Sequence, residues 1–283
     1  MIVVTGATGQ LGRLVITALL QSVPAGKIVA AVRNPEQAAD LAALGVQVRH
    51  ADYTQPASLD TAFQGAEKVL LISSNQLGQR LAQHVAVIDA AKRAGVALLA
   101  YTSVLRADTS ELGLAEEHEQ TEQAIRASGL AAVILRNGWY TENYTAAIPG
   151  GVAQGALYGS AGDGRIASAA RSDYAAAAAA VLSGSGHAGK VYELAGDQAY
   201  TLSELAAEVT RQSGKSVVYQ NLPQADYQAA LVQIGLPAEI ADLLSDSDAA
   251  AAKGALFDDG RQLSALIGRP TMSLVASVRA ALQ

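Results

Sequence analysis

Three glycines at a spacing of three, Gly6, Gly9 and Gly12, separate an apolar run, Met1 to Val4, from a stretch in which Leu11, Leu14, Val15, Ala18 and Leu19 recur at helical spacing. An apolar strand that feeds a glycine-rich turn and then an amphipathic helix leaves few folds open. Gly6 is expected to permit the tight turn, Gly9 to let the backbone approach a pyrophosphate, and Gly12 to let the helix lie close on the strand. The helix N-terminus then presents unpaired N–H groups and the positive end of its dipole to an anion. A second apolar strand, Lys27 to Val32, completes a βαβ unit, so the motif reads as a dinucleotide site rather than a flexible loop. Two residues separate Gly6 from Gly9 where older Rossmann dehydrogenases have one; the wider form resembles the short-chain dehydrogenase/reductase superfamily.

The second strand ends in Arg33, where a dinucleotide enzyme that prefers the unphosphorylated cofactor places an acid for the ribose hydroxyls. A guanidinium there can pair with a 2′-phosphate and stack on adenine, which favours NADPH over a merely solvated arginine. Val46 to His50 gives a third strand, followed by Asp52, which either accepts from the adenine amino group or caps a helix that starts near Pro56. Val69 to Ile72 is a fourth strand that stops at Ser73, Ser74 and Asn75, small polar side chains suited to a crevice ligand. Arg80 to Ala94 reads as a helix, Ala97 to Thr102 as a strand, Glu116 to Ala127 as a helix and Ala131 to Leu135 as a sixth strand. That alternation predicts an α/β fold: a Rossmann-type doubly wound parallel sheet with a smaller C-terminal α/β substrate lobe. The expected division is residues 1–137 for the nucleotide domain and 138–283 mainly for the substrate lobe, interleaved with late strands and helices of the first.

The sixth strand breaks into Arg136, Asn137, Gly138, Trp139, Tyr140, Thr141, Glu142, Asn143 and Tyr144. Aromatics and amides just beyond a strand end suit a nicotinamide and substrate pocket, or else pack a hinge. Gly150 to Gly164 is glycine-rich and reads as a mobile lid segment, Tyr174 to Leu182 as a closely packed core helix, and Lys190 to Leu194 as a late strand. Thr201 with Glu204 forms a capping box for a helix over Leu202 to Gln212, and Val217 to Gln283 reads as short helices and turns.

Composition narrows the function classes. Twenty basic against 26 acidic residues, net charge −6 with no basic run, give no surface for nucleic acid. Cysteine is absent and the four histidines are scattered, so no metal site is expected. No basic segment followed by an apolar one precedes the first strand, which needs Ile2 and Val3 itself, so no leader is expected, and no apolar stretch approaches the roughly 20 residues of a bilayer span. A cytoplasmic protein without a membrane role is expected.

The motifs Gly6 to Gly12, Val32-Arg33-Asn34-Pro35 and Leu135 to Tyr144, with further likeness through Ala107 to Glu122 and Ala161 to Ala169, resemble the NmrA-like atypical short-chain dehydrogenases over essentially the whole chain. The Gly-Trp-Tyr and Ala-Asp-Thr-Ser stretches look more like the family's quinone-reducing branch than its dye-reducing one. The resemblance implies NADPH contacts from Gly6, Ala7, Thr8, Gly9, Gln10 and Leu11, from Arg33, from Ser73, Ser74 and Asn75, and from Asn137, Gly138, Trp139, Tyr140, Thr141 and Glu142. Ser168 to Asp173 is a further candidate contact, and the quinone pocket is expected to involve Trp139, Tyr140, Tyr144 and Arg171.

The chain departs from the wider superfamily in one respect: Tyr101 is followed four residues later by Leu105 and Tyr140 by Tyr144, and no tyrosine has a lysine there. Hydride transfer to an electrophilic quinone, with protonation from water or a nearby hydroxyl, needs no such pair. His118 lies near the region where related reductases keep a lysine and is a candidate proton donor or substrate contact; the bland alternative is packing. A redox sensor that binds the dinucleotide without catalysis, and changes protein partner with its oxidation state, is the competing reading. A second copy of the chain is another partner left open.

Overall fold

The computed structural model describes residues 1–283. Nine strands occur in chain order: β1 Ile2–Thr5, β2 Ile28–Val32, β3 Gln47–His50, β4 Lys68–Leu71, β5 Leu98–Val104, β6 Ala132–Asn137, β7 Ala156–Gly159, β8 Val191–Leu194 and β9 Val218–Asn221. Seven form one parallel sheet in the order β3-β2-β1-β4-β5-β6-β8. Every residue of β2 and β5 is buried, as expected of a parallel sheet covered on both faces, and this is why these strands read as unbroken apolar runs.

On one face, Leu59, Phe63, Val87, Ile88 and Ile125 of helices Pro56–Ala62, Arg80–Arg93 and Ala115–Ser128, together with the turn after the first, meet Val3, Val29, Val69, Leu71 and Leu99. On the other, helix Gln10–Leu19 packs against helix Arg171–Ser183. Ala175, Ala177, Ala178 and Ala179 are buried in that second helix, and their small side chains let two helices and the sheet approach closely. The architecture is a Rossmann-type, doubly wound α/β fold.

The chain divides into two compact units. The first holds residues 1–108, 116–137 and 171–194, with the whole seven-stranded sheet. The second holds residues 109–115, 138–170 and 195–283, and contains a two-stranded parallel sheet of β7 and β9.

Two sequence expectations are corrected in the second unit. The glycine-rich Gly150 to Gly164 stretch is regular rather than an irregular loop: it contains most of helix Ile148–Gln154 and all of β7. Three of its glycines, Gly151, Gly159 and Gly164, sit where an added Cβ would clash, that of Gly164 at 2.3 Å from the Ala251 carbonyl oxygen. The Val217 to Gln283 region is more regular than short helices and turns, because it includes β9 and the 14-residue helix Ala238–Ala251. β9 has only four residues, three of them exposed, so it carries no apolar run from which to read it. The capping box at Thr201 and Glu204 forms in both directions.

Candidate functional site

The strand order reverses between β1 and β4, and in such sheets ligands lie outside the carboxyl ends of the strands at that point. A cavity of about 320 Å³ occupies this place, in the size range of ligand pockets (roughly 300–1,000 Å³). Gly6, Thr8 and Gly9 line it after β1, Arg33 after β2, Asp52 and Tyr53 after β3, and Ser73, Ser74 and Asn75 after β4.

The glycines have distinct roles. Gly6 adopts φ +59°, a left-handed conformation that other residues take at a cost. A Cβ on Gly12 would meet the Gly6 carbonyl oxygen at 2.4 Å and Ala7 Cα at 2.7 Å, so Gly12 packs against the turn itself rather than along the strand. The helix Gln10–Leu19 starts at Gly9 with no side-chain cap and no acidic residue in its first turn, leaving its N-terminal N–H groups for an anion. Ala7 and Leu11 bury their side chains and, like Gln10, do not line the cavity, whereas Gly6, Thr8 and Gly9 do. Arg13 braces the turn by donating from Nε to the Thr8 carbonyl and by pairing with Asp40.

Arg33 stands exposed on the cavity rim. Asp52 does not cap the following helix, whose first flanking residue is Gln55. Its carboxylate instead accepts from the Thr54 amide and hydroxyl, 2.9 and 2.8 Å away. Partial burial raises the Asp52 pKa, but those bonds and the Arg33 charge outweigh it, and the net shift is downward. The Tyr53 hydroxyl reaches Thr5 Oγ1 at 2.5 Å and the Ile72 carbonyl at 3.0 Å, tying three strand ends together. Tyr53, Gln76, Gln83 and Thr54 line the cavity without having been singled out in the sequence. The position of Tyr53 beside Asp52 was the one available signal.

At the end of β6, Asn137 is buried and its Oδ1 has no hydrogen-bond partner. A buried acceptor left unpaired is costly, and a ligand donor would satisfy it. The residues that follow belong to the second unit. There Gly138 and Trp139 are buried and Tyr140 and Glu142 are half-buried, with Tyr140 bridging to Ala169. Thr141 Oγ1 meets Ser168 Oγ at 2.8 Å, and Ser168 Oγ meets the Tyr200 hydroxyl at 2.7 Å. These three side chains line a second cavity of about 750 Å³, walled by Asp197 and the 261–274 segment. Tyr144 is buried and donates its hydroxyl to Asp248 Oδ1 at 2.9 Å, inside the second unit. Arg171 opens helix Arg171–Ser183 in the first unit, half-buried.

His118 is a packing residue. It is buried, its Nδ1 lies 2.7 Å from the Tyr101 hydroxyl, and burial together with the charge of Arg80 holds its pKa well below the usual histidine value. An imidazole kept neutral and paired in the core is not poised to donate a proton to a ligand. No group of three or more His, Cys, Asp or Glu side chains is placed to hold a metal. No helix is long and apolar enough to cross a membrane.

Comparison with known proteins shows kinship over the whole chain. The chain is 60% identical to Quinone oxidoreductase 2 of Escherichia coli (strain K12) over 278 residues, 98% of this chain and 97% of that one. The crystal structure of an NADPH-dependent quinone oxidoreductase from Escherichia coli complexed with NADPH superposes over 100% of both chains with a TM-score of 0.97 and 59% identity. The Citrobacter sp. triphenylmethane reductase complexed with NADP(H) covers 99% of this chain, and 100% of its own length is matched, at 40% identity and a TM-score of 0.95. The family model described as NmrA-like matches residues 1–272, and with kinship of this extent the chain belongs to the NmrA-like family.

Proposed function

We propose that this protein is an NADPH-dependent reductase that transfers a hydride to a quinone without flavin or metal. The near-full-length 60% identity to a quinone oxidoreductase carries the reading. The chain's own geometry fits the cofactor: the turn around Gly12 has no room for a Cβ, the adjoining helix N-terminus is uncapped, and the Asn137 Oδ1 lacks a donor.

Bound NADPH supplies the hydride. The main chain of residues 6–11 would hold the pyrophosphate and Arg33 the 2′-phosphate, with Ser73, Ser74 and Asn75 meeting the cofactor where β4 ends. Asn137 to Glu142 is assigned to the nicotinamide end, and Trp139, Tyr140, Tyr144 and Arg171 to the quinone. The quinone takes up a hydride and one proton to become the hydroquinone. With no tyrosine-lysine pair and His118 sequestered, that proton comes from water or a nearby hydroxyl, and positioning supplies most of the rate. The kinship with triphenylmethane reductase makes reduction of triphenylmethane dyes the alternative within the same family. A cytoplasmic location belongs to the same proposal. The test is oxidation of NADPH by purified protein with simple quinones: turnover supports the reading, and tight NADPH binding without turnover removes it.

A further inference from the structure

Three successive main-chain N–H groups at the end of β4 are bound by side chains from three elements: Ile72 by Thr5 Oγ1 at 3.1 Å, Ser73 by Thr102 Oγ1 at 2.9 Å and Ser74 by His84 Nε2 at 2.9 Å. Ser74 is held at its other polar atoms as well. Arg80 Nε donates to its carbonyl at 2.9 Å, and its hydroxyl donates to Gln83 Oε1. Arg80, Gln83 and His84 are all buried and share one face of helix Arg80–Arg93.

The helix Ala115–Ser128 secures this grip from behind. Thr121 donates its single hydroxyl proton to the Glu117 carbonyl at 2.8 Å, so its contact with His84 Nδ1 at 2.9 Å requires that nitrogen to carry the hydrogen. His84 Nε2 is therefore left as the acceptor that the Ser74 amide needs. Glu117 also faces Arg80 at 3.4 Å.

We propose that His84 is a positioning residue for the dinucleotide: locked in one tautomer by Thr121, it fixes Ser74 and so holds the Ser73 to Asn75 wall of the pocket in its binding shape. The inference rests on reading that cavity as the NADPH site. A hydroxyl can rotate toward another partner, but an imidazole lone pair cannot, so the tautomer sets the loop.

His84→Leu, His84→Gln and Thr121→Val distinguish this role from simple core packing. His84→Leu is expected to raise the Kd and KM for NADPH about tenfold, the effect of roughly 1.4 kcal/mol, with kcat at saturating NADPH within about twofold. His84→Gln, whose amide oxygen can stand in for Nε2, should stay within about threefold of the parent protein. Thr121→Val keeps the shape of the core outside the cavity and should weaken NADPH in the same direction. Hydrogen exchange at the Ser74 amide provides a readout independent of the cofactor: it should accelerate in His84→Leu and much less in His84→Gln. Unchanged Ser74 exchange in His84→Leu overturns the clamp, as does an equal loss of affinity and thermal stability in the Leu and Gln variants. If His84→Leu does not fold, normal NADPH affinity and normal Ser74 exchange in Thr121→Val overturn it. Failure of the parent protein to bind NADPH while the exchange pattern holds would instead overturn the cofactor assignment.

Discussion

Under the proposed assignment, Arg33 sets which dinucleotide the pocket prefers. Only a phosphorylated cofactor loses a charge-assisted pair in Arg33→Ala, a loss of roughly 1.5–3 kcal/mol, or about tenfold to a hundredfold in affinity. NADPH binding should weaken by that factor and NADH binding much less; a matched loss for both would confine Arg33 to adenine stacking or to the fold. In the same assignment, Asn137 and Tyr140 separate cofactor from acceptor. Asn137→Ala is expected to raise the Kd for NADPH, since its buried Oδ1 awaits a donor, whereas Tyr140→Ala should mainly lower quinone turnover. A Tyr140→Ala protein that melts several degrees lower yet keeps its turnover would make the stretch a hinge. At this scale the sequence was most legible where a residue's place follows from a motif. Arg33 and Ser73 to Asn75 come together because each ends a strand beside the glycine turn. Tyr53 and Gln83 were not legible, because they reach the cavity through tertiary folding, and neither was the bond from the Tyr144 hydroxyl to Asp248, 104 residues along the chain.

The strand-turn-helix at the N-terminus is the element most sensitive to added volume. Gly12→Ala would drive a methyl into backbone atoms of Gly6 and Ala7, which cannot rotate away, at a cost of about 1–3 kcal/mol. A fall in thermal midpoint together with weaker NADPH binding is expected; a variant equal to the parent in both would show that the turn has slack. The helices Arg80–Arg93 and Ala115–Ser128 carry a second dependence, on pH. Burial, reinforced by Arg80, lowers the His84 pKa to about 3, and His118 is lowered by the same causes. Both take up protons on unfolding near their ordinary pKa of about 6.5, so the unfolded chain binds more protons below that pH. Their contribution is complete above about pH 6.5 and is lost progressively as the pH falls toward the folded value. The slope approaches about 1.4 kcal/mol per pH unit for each proton taken up. Denaturant midpoints between pH 7 and 5, above the main titration of the carboxylates, should decline in the parent and decline less in His84→Gln; equal, flat profiles would contradict the account. The strands of the sheet were legible because burial on both faces makes them apolar throughout. β9 and the packed Gly150 to Gly164 stretch were not, since exposure removes the pattern of the first and close backbone approach in the second mimics a loop composition.

For the whole molecule, the doubly wound sheet provides a crevice at the β1 and β4 ends, and the chain's own chemistry narrows what that crevice does. Without a tyrosine-lysine pair, and with its buried histidines His84 and His118 shifted toward the neutral form, the protein is suited to acceptors that take a hydride readily and need only water or a nearby hydroxyl for their proton. Sensing and catalysis share the same dinucleotide site, so binding alone does not separate them. A sensor distinguishes NADP from NADPH in its affinity for a protein partner, whereas a reductase consumes NADPH. The deciding measurement is steady-state NADPH oxidation by the purified protein with and without a simple quinone, beside a direct titration of NADPH binding. The account predicts tight NADPH binding and quinone-dependent turnover with one NADPH consumed per hydroquinone formed; tight binding with no turnover above the uncatalysed rate would contradict it.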